Sequence, residues 1–393
     1  MKRNIEIGNL SKPGDREALT EVLARCYGVP APFWETYFTR IGNENFRLVR
    51  LGEEVAGGLA IYFMGQWFGG RSVPMAGIAA VGVGPERRGT GVAFELMAGA
   101  LRELHQSGIP LSILYPTTQT LYRRVGYEQA GVRCQFVLPT RSIGIEDRTL
   151  PLRPVDPDRH EVFHDLYRER AGRDAGNLDR NRAIWERVVT PRDGEKAIYA
   201  YLVGEGSRPE GYVVFTQPDK ESGYDLFVRD LVALTPGAIR RLLTFFADHR
   251  SMAREVVWCG PLADPVACLF PEQDHRVKHM ERWMMRVVDV RRALAMRGYS
   301  DGIEAELHLE VSDDLLPANQ GRIVLRVAQG RAEVSDGGRG ELELEVSGLA
   351  PLYSGFLSPQ QLAAIGLLSG PPAALATAAQ LFAGPEPWMP DYF

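Results

Sequence analysis

The sequence is poor in the residues that build disulfide frameworks and metal centres. Its 393 residues include four cysteines and seven histidines. The cysteines, Cys26, Cys134, Cys259 and Cys268, form no C-x-x-C pair and show no histidine-rich spacing typical of a metal site. We therefore expect free thiols, no bound metal and a cytoplasmic protein.

Long apolar stretches and a surplus of positive charge are also absent. No run approaches the roughly 18 uncharged apolar residues of a membrane span, and residues 1–4 lead into no hydrophobic signal core. The formal net charge is −5, whereas nucleic-acid-binding domains usually carry a basic face. We expect neither a membrane nor a nucleic acid as a partner.

The composition is that of a globular protein with more than one core. Hydrophobic residues make up 45% of the chain. Because a single hydrophobic core stops growing beyond about 250–300 residues, a chain of this length predicts two or three domains.

The most informative stretch runs from Val83 to Phe94, with the sequence VGPERRGTGVAF. An apolar run at residues 78–83 predicts a buried strand before it. After it, apolar residues recur on one face of a predicted helix, at Phe94, Met97, Ala98, Leu101 and Leu104. In a strand–loop–helix unit, free backbone N–H groups and the positive end of the helix dipole favour a bound anion. The stretch therefore predicts a phosphate site.

The spacing Arg88-x-x-Gly91-x-Ala93 resembles the pyrophosphate loop of the GNAT acetyltransferases, which bind acetyl-CoA. A Rossmann loop would instead need three glycines and an acidic residue about 20 residues further on. The resemblance implies the following acetyl-CoA-binding residues: Val81, Gly82, Val83, Arg88, Gly89, Thr90, Gly91, Val92, Ala93, Thr117 and Thr118. The two threonines follow a predicted strand, and an equally good interpretation makes them caps of the next helix.

The chain divides into three predicted domains. Residues 1–140 alternate strands and helices, with residues 132–138 closing the sheet, and a Pro- and Arg-rich linker follows at residues 140–158. Residues 159–285 repeat this rhythm, but the position of the glycine loop holds LTPGA at residues 234–238. We therefore expect a second GNAT-like domain without a cofactor site.

Residues 286–393 contain short strands followed by helices, an order typical of a separate α+β domain. This segment resembles the sterol-carrier-like domain that closes the Eis family of acetyltransferases. The resemblance covers the whole chain. It implies an α/β fold with two tandem GNAT-like mixed-sheet domains, followed by an α+β sterol-carrier-like domain.

Two tyrosines are candidates for the general acid. The resemblance places Tyr122, in the sequence LYRRVGY, near the thioester sulfur, where its phenol can protonate the departing thiolate. Tyr127 is the competitor, but it follows Gly126 at the start of a predicted strand. For Tyr127 a role as a packed aromatic is favoured.

The chain end, residues 388–393 (WMPDYF), carries the candidate general base. Proteins of the Eis family place their C-terminal carboxylate in the active site, which here implies the carboxylate of Phe393. The alternative is that this aromatic segment merely covers an apolar groove.

Other side chains have weaker claims to a function. Phe33, Trp34, Tyr37 and Phe38 lie where GNAT enzymes bind acceptors, although their helical spacing favours a place in the core. The pair of histidines at residues 160 and 164 has a metal-ligand spacing but no third ligand nearby.

Taken together, the resemblance implies an N-acetyltransferase that moves an acetyl group from acetyl-CoA to a primary amine, of an aminoglycoside-like or lysine-like acceptor. Direct attack is favoured because no cysteine stands near the motif to carry the acetyl group. The resemblance also implies a homohexamer. The alternative is a lipid- or sterol-binding protein whose acetyltransferase domain is vestigial, and the intact Arg88-x-x-Gly91 spacing argues against it.

Overall fold

A computed structural model describes residues 5–192, 194–206 and 208–393. The first part of the chain alternates strands and helices. Its elements are β1 (Ile5–Gly8), α1 (Asp15–Tyr27), α2 (Ala31–Ile41), β2 (Phe46–Leu51), β3 (Glu54–Phe68), β4 (Arg71–Val83), α3 (Val92–Gln106), β5 (Leu111–Leu114), α4 (Gln119–Arg123) and β6 (Glu128–Pro139).

The rest of the chain repeats the alternation and then changes to strands followed by helices. The middle elements are β7 (Leu152–Val155), α5 (His164–Arg173), β8 (Leu178–Asp179), α6 (Arg182–Val189), β9 (Ile198–Val203), β10 (Gly211–Thr216), β11 (Tyr224–Ala233), α7 (Pro236–Asp248), β12 (Ala253–Gly260) and β13 (Arg276–Val287). The last are α8 (Val290–Met296), β14 (Ala305–Ser312), β15 (Gly321–Ala328), β16 (Arg331–Asp336), β17 (Leu342–Glu345), α9 (Val346–Ser354), α10 (Pro359–Ala364) and α11 (Pro372–Leu381).

The predicted strand–loop–helix unit is confirmed. The run at residues 78–83 forms the end of β4, and α3 begins directly after Gly91, which adopts a left-handed conformation (φ 86°). Most of the predicted apolar face of α3 is completely buried against the sheet, as at Met97, Leu101 and Leu104. Glycine at the loop position avoids the Cβ strain that other residues meet at positive φ.

A single sheet of 13 strands joins the first two parts of the chain. Its order is β1-β2-β3-β4-β5-β13-β6-β12-β11-β10-β9-β7, with β8 pairing β3 at the side. Strand β13 inserts antiparallel between β5 and β6, with Met284 opposite Leu114 and Met280 opposite Cys134.

Two sequence-based expectations are therefore wrong. Residues 132–138 do not close a first sheet, because β6 has β13 on one side and β12 on the other. Nor is the segment 140–158 only a linker, since it contains β7, whose Val155 pairs with Ala200 of β9. Both segments pair with strands that come much later in the sequence, and local sequence patterns do not predict such pairings.

The last part forms a separate four-stranded sheet, ordered β16-β15-β14-β17, covered by α9, α10 and α11. Its inner face is filled by apolar side chains that are at most 2% exposed: Leu307, Leu309, Val311, Ile323, Leu325 and Val327. The predicted α/β fold with two mixed-sheet units and an α+β C-terminal domain is confirmed. No helix in the described part of the chain is both long and apolar enough to cross a membrane.

Candidate active site

The candidate active site lies where β4 and β5 part. The two strands pair in parallel only from Met75 to Gly77 on β4 and from Leu111 to Ile113 on β5. Beyond Gly77, β4 continues to Val83, while β5 ends at Leu114. This leaves one edge of β4 unpaired in the described chain, and an unpaired edge can bind an extended ligand through its backbone groups.

A β-bulge shapes this free edge. Ala60 pairs with Ala79 and Gly58 with Gly82, so Leu59 faces two residues of β4 instead of one. At the bulge, Ala80 adopts φ 50°, which is uncommon for a residue with a side chain. Bulges turn strand groups away from the ladder and often occur beside active sites. The backbone of Val81, Gly82 and Val83 follows directly.

The glycine loop (residues 84–91) presents free backbone donors. The N–H groups of residues 89–94 donate no hydrogen bond to any described residue, and no side chain caps α3. Gly89 and Gly91 both have positive φ, and a Cβ built on either would meet no atom within 4 Å. The predicted residues Gly89 to Ala93 thus form one open surface on which unpaired backbone N–H groups can bind an anion.

Two arginines of the loop differ in their surroundings. Arg87 forms an ion pair of 2.6 Å with Glu54, and its carbonyl accepts a 2.6 Å hydrogen bond from the Thr90 hydroxyl. Arg88 is exposed and forms no ion pair with a described residue. Arg88 therefore remains available to an anion over the loop.

The two predicted threonines follow β5. Thr117 and Thr118 are both exposed, between β5 and α4. Thr118 is the N-cap residue of α4, yet its side chain makes no capping hydrogen bond. The capping interpretation is thus wrong for Thr118, whose hydroxyl makes no hydrogen bond to a described residue.

Tyr122 and Tyr127 lie side by side, with ring centroids 6.1 Å apart. The Tyr127 hydroxyl is within 2.6 Å of the Ser112 hydroxyl in a fully buried pair. The hydroxyl of Tyr122 makes no hydrogen bond to a described residue, and burial raises its pKa to about 12. Tyr122 is therefore protonated at neutral pH and free to donate.

The structure corrects one premise of the sequence analysis, because a cysteine does lie beside the motif in space. Cys26, at the end of α1, donates a 3.1 Å hydrogen bond from its thiol to the carbonyl oxygen of Val83. Burial raises the pKa of Cys26, although the charge of Arg88 acts in the opposite direction. A protonated thiol is a poor nucleophile, so the arrangement does not favour a covalent acetyl-cysteine.

The chain end (residues 388–393) is buried between the first two parts of the molecule. Trp388 donates to the carbonyl of Ala175 (2.9 Å), and Met389 donates to that of Val132 (3.2 Å). Asp391 forms an ion pair of 3.0 Å with Arg180.

Two further side chains hold the backbone of this segment. Arg133 donates to the carbonyl of Pro390 (3.0 Å) and stacks on the ring of Tyr392, 4.2 Å from its centroid. Tyr115, directly after β5, donates to the carbonyl of Asp391 (2.9 Å). The segment is thus fastened at several points.

Phe393 lies at the point where β4 and β5 separate. A Cβ added to Gly77, the last β4 residue paired with β5, would come within 2.7 Å of the Phe393 ring. The same ring lies 5.9 Å from Tyr62 and 6.0 Å from Tyr115, measured between centroids. No described cation lies within 4.0 Å of the terminal carboxylate.

The aromatic residues of α2 approach this ring through Tyr62. Trp34, Tyr37 and Phe38 are buried, whereas Phe33 is 45% exposed. The ring of Tyr37 lies 6.4 Å from Tyr62, which in turn lies against Phe393. The core interpretation is confirmed for three of the four residues. Tyr37 and Phe393 both pack near the ring of Tyr62.

The corresponding helix of the middle part, α7, offers no comparable anion site. Its N-cap Thr235 accepts a hydrogen bond from the backbone of Ala238 (3.1 Å), and Pro236 has no N–H to offer. The Thr235 hydroxyl also lies 2.5 Å from a carboxylate oxygen of Glu210. A phosphate would meet a capped helix end and a negative charge here.

Sequence reasoning missed the residues that hold the site together. Tyr27 donates a 3.0 Å hydrogen bond to the carbonyl of Val81 at the bulge. Tyr115, Arg133 and Arg180 bind the chain end from three distant elements. No local motif marks them, and only the aspartate in the WMPDYF segment hinted at a buried partner. His160 and His164 contact each other at 2.9 Å, and both rings stack on Trp185.

Known protein families match three successive segments of the chain. Acetyltransferase (GNAT) domain families match residues 9–130 and 176–287, and a sterol carrier protein domain family matches residues 290–390.

Individual proteins resemble the chain over most of its length. A GCN5-related N-acetyltransferase from Anabaena variabilis is 45% identical over 99% of this chain and 100% of its own, with a TM-score of 0.96. One from Kribbella flavida is 31% identical over 100% of this chain and 99% of its own, with a TM-score of 0.87. The N-acetyltransferase Eis of Mycobacterium tuberculosis is 26% identical over 75% of this chain and 74% of its own.

Proposed function

Because the chain belongs to the Eis-like GNAT family of acetyltransferases, we propose that it transfers an acetyl group from acetyl-CoA to a primary amine by direct attack. One observation carries this proposal above the others. The free N–H groups of residues 89–94 follow the bulged edge of β4, and the ring of Phe393 lies against Gly77, where that edge begins. The acceptor classes expected from the resemblance are aminoglycoside-like and lysine-like amines.

The glycine loop would hold the pyrophosphate of acetyl-CoA. Its support is the combination of free backbone donors, the dipole of α3 and the exposed guanidinium of Arg88. The free edge at Val81, Gly82 and Val83 would bind the extended arm through backbone hydrogen bonds. The hydroxyls of Thr117 and Thr118 would reach the same arm from the end of β5.

Tyr122 would act as the general acid. As the amine nitrogen bonds to the thioester carbon and the carbon–sulfur bond breaks, the sulfur takes up the electron pair. The phenol of Tyr122 would then give its proton to that sulfur, and the proton that the acylated nitrogen loses would restore the phenol through solvent. Tyr127 is the less suitable acid because its hydroxyl is already engaged with Ser112.

In a protein that ends at Phe393, the terminal carboxylate would act as the general base. An ammonium group must lose a proton before its nitrogen can attack, and a carboxylate within the cleft can accept that proton. The position of the Phe393 ring against Gly77 supports this role. The carboxylate would then pass the proton to solvent.

We further propose that the middle GNAT domain, predicted at residues 159–285, binds no acetyl-CoA. The capped end of α7 and the nearby Glu210 support this inference. The protein would then bind one acetyl-CoA per chain. A homohexamer is proposed from the resemblance alone, and the mass measured by light scattering would test it. A cytoplasmic location is proposed from the four cysteines, which form no C-x-x-C pair.

Isothermal titration calorimetry combined with a thiol-release assay tests the proposed function. We expect one acetyl-CoA per chain and CoA release that depends on an added primary amine. The alternative, a lipid-binding protein with a vestigial acetyltransferase domain, predicts no acetyl-CoA binding and stabilisation by fatty acids instead. The filled apolar interior of the C-terminal sheet gives this alternative little support.

A further inference from the structure

Five arginines, from α2, β6, α6, the loop after α6 and β11, lie close together near the chain end. Four of them, Arg133, Arg187, Arg192 and Arg229, line a cavity of about 30 Å³ together with Tyr392. The fifth, Arg40 of α2, lines the adjoining groove between α2 and α6, which has a volume of about 880 Å³. This set is called the arginine cluster below.

Two members of the cluster stabilise the fold through contacts with neighbouring residues. Arg229 donates hydrogen bonds to three backbone carbonyls at the C-terminal end of α6 and forms an ion pair with Glu195. Arg133 donates to the backbone of the chain end and stacks on Tyr392. Their charges are therefore accounted for within the fold.

The other three members have no such partner. The guanidinium groups of Arg40, Arg187 and Arg192 make neither an ion pair nor a hydrogen bond with any described residue. Arg187 is only half-buried, and it follows Ile184 by one helical turn of α6. Burial raises the pKa of Tyr62 and the nearby charge of Arg187 acts in the opposite direction, so this face of α6 is turned towards Tyr62, whose ring lies 5.9 Å from that of Phe393.

The nearby carboxylates do not neutralise these three charges. Glu195 pairs with Arg229, Glu281 lies 4.0 Å from Arg133, and Asp391 pairs with Arg180. Burial, followed by the charges of Arg187, Arg133 and Arg40, lowers the pKa of Arg192, against the opposing charge of Glu195. Like charges held together raise the free energy of the protein, and an anionic ligand would relieve that cost.

We propose that the arginine cluster binds an anionic group, a carboxylate or a phosphate, carried by the amine acceptor. This inference rests on the proposed acetyltransferase function and selects among its acceptors. An amino-acid-like amine fits the cluster, because guanidinium groups bind carboxylates and phosphates through paired hydrogen bonds. A polycationic aminoglycoside would be repelled by the same charges.

Calorimetry on the protein saturated with CoA tests the anion site directly, because CoA then occupies the glycine loop. The probes are glutarate and phenyl phosphate, which carry no amine and distinguish a carboxylate site from a phosphate site. We expect saturable binding of at least one probe, weakened tenfold or more in Arg187→Gln. The matched control is Arg168→Gln, which removes an exposed arginine of α5 paired with Asp165. Failure of both probes to bind, or equal binding to Arg187→Gln, would overturn the proposal.

Acceptor kinetics provide the second test, using three amines of similar length: 4-aminobutyrate, 4-amino-1-butanol and 1,4-diaminobutane. We expect kcat/KM to be at least tenfold higher for 4-aminobutyrate than for either of the other two amines. The Arg187→Gln substitution should remove that preference without changing the KM for acetyl-CoA. Equal rates, or a preference for the diamine, would contradict the anion site. Failure of the proposed function itself would appear differently, as an absence of CoA binding.

Discussion

Asp391 and Arg180 form an ion pair of 3.0 Å although the side chain of Arg180 is 0% and that of Asp391 only 4% exposed. Arg180 also pairs with Asp230 on β11, so it lies between two carboxylates. A buried charge is costly unless it is paired. The Asp391–Arg180 pair therefore fixes the backbone two residues before Phe393 and helps to position the chain end in the fold.

Removing the charge of Asp391 should loosen the chain end. In Asp391→Asn the side chain keeps its size, but Arg180 loses one of its two carboxylates. We expect a loss of about 1–3 kcal/mol in the free energy of unfolding, measured by denaturant titration, together with lower turnover. Asp165→Asn, which removes an exposed carboxylate paired with Arg168, is the control and should change neither quantity. Unchanged stability of Asp391→Asn would show that the buried pair does not hold this segment.

A negative charge in the glycine loop should prevent acetyl-CoA binding. Gly91→Asp places a carboxylate where the free N–H groups of α3 meet the proposed pyrophosphate, and calorimetry should detect no binding. Gly14→Asp is a matched control, because Gly14 is also a helix N-cap residue with positive φ and open space around its Cβ position. Both variants carry the same backbone strain, so equal affinities would refute the assignment of the loop.

Loss of the Tyr122 hydroxyl should slow the chemical step. We expect Tyr122→Phe to lower kcat by roughly 10²–10⁴ with little change in acetyl-CoA affinity, because the ring and its packing remain. The control, Tyr127→Phe, removes the hydroxyl that contacts Ser112 and should affect stability more than turnover. Since the pKa of Tyr122 is raised to about 12, its ionisation should cause no loss of activity below about pH 11. Full activity of Tyr122→Phe would exclude it as the acid.

One glycine added after Phe393 should displace the terminal carboxylate while keeping every side chain. The extended protein should bind acetyl-CoA normally but lose most of its turnover. As the pH rises, more of the acceptor is a free amine that needs no base, so the loss should shrink with increasing pH. A glycine inserted between Gly337 and Gly338, in an exposed turn of the C-terminal domain, is the control. Full turnover of the extended protein would leave the chain end with a structural role only.

Local patterns predicted the glycine loop well. The β4–loop–α3 unit forms between neighbouring residues, because small apolar residues favour the strand, Gly91 permits the positive φ, and the apolar period of α3 selects its buried face. The confirmed division into mixed α/β parts and an α+β end follows from the same short-range patterns. The assigned roles of Tyr122 and Phe393 remain predictions.

Contacts between distant segments decided the rest. Strand β13 pairs with β6, although the two strands come from different parts of the chain. Cys26 contacts Val83, which is 57 positions away, and Arg180 pairs with Asp391, which is 211 positions away. A sequence carries propensities for its neighbours, but partners at such distances are selected by burial and charge compensation in the folded molecule. By itself the sequence therefore determined the glycine loop and the family. The tertiary structure decided where the chain end lies and which charges surround it, because both depend on the packing of two domains through one sheet.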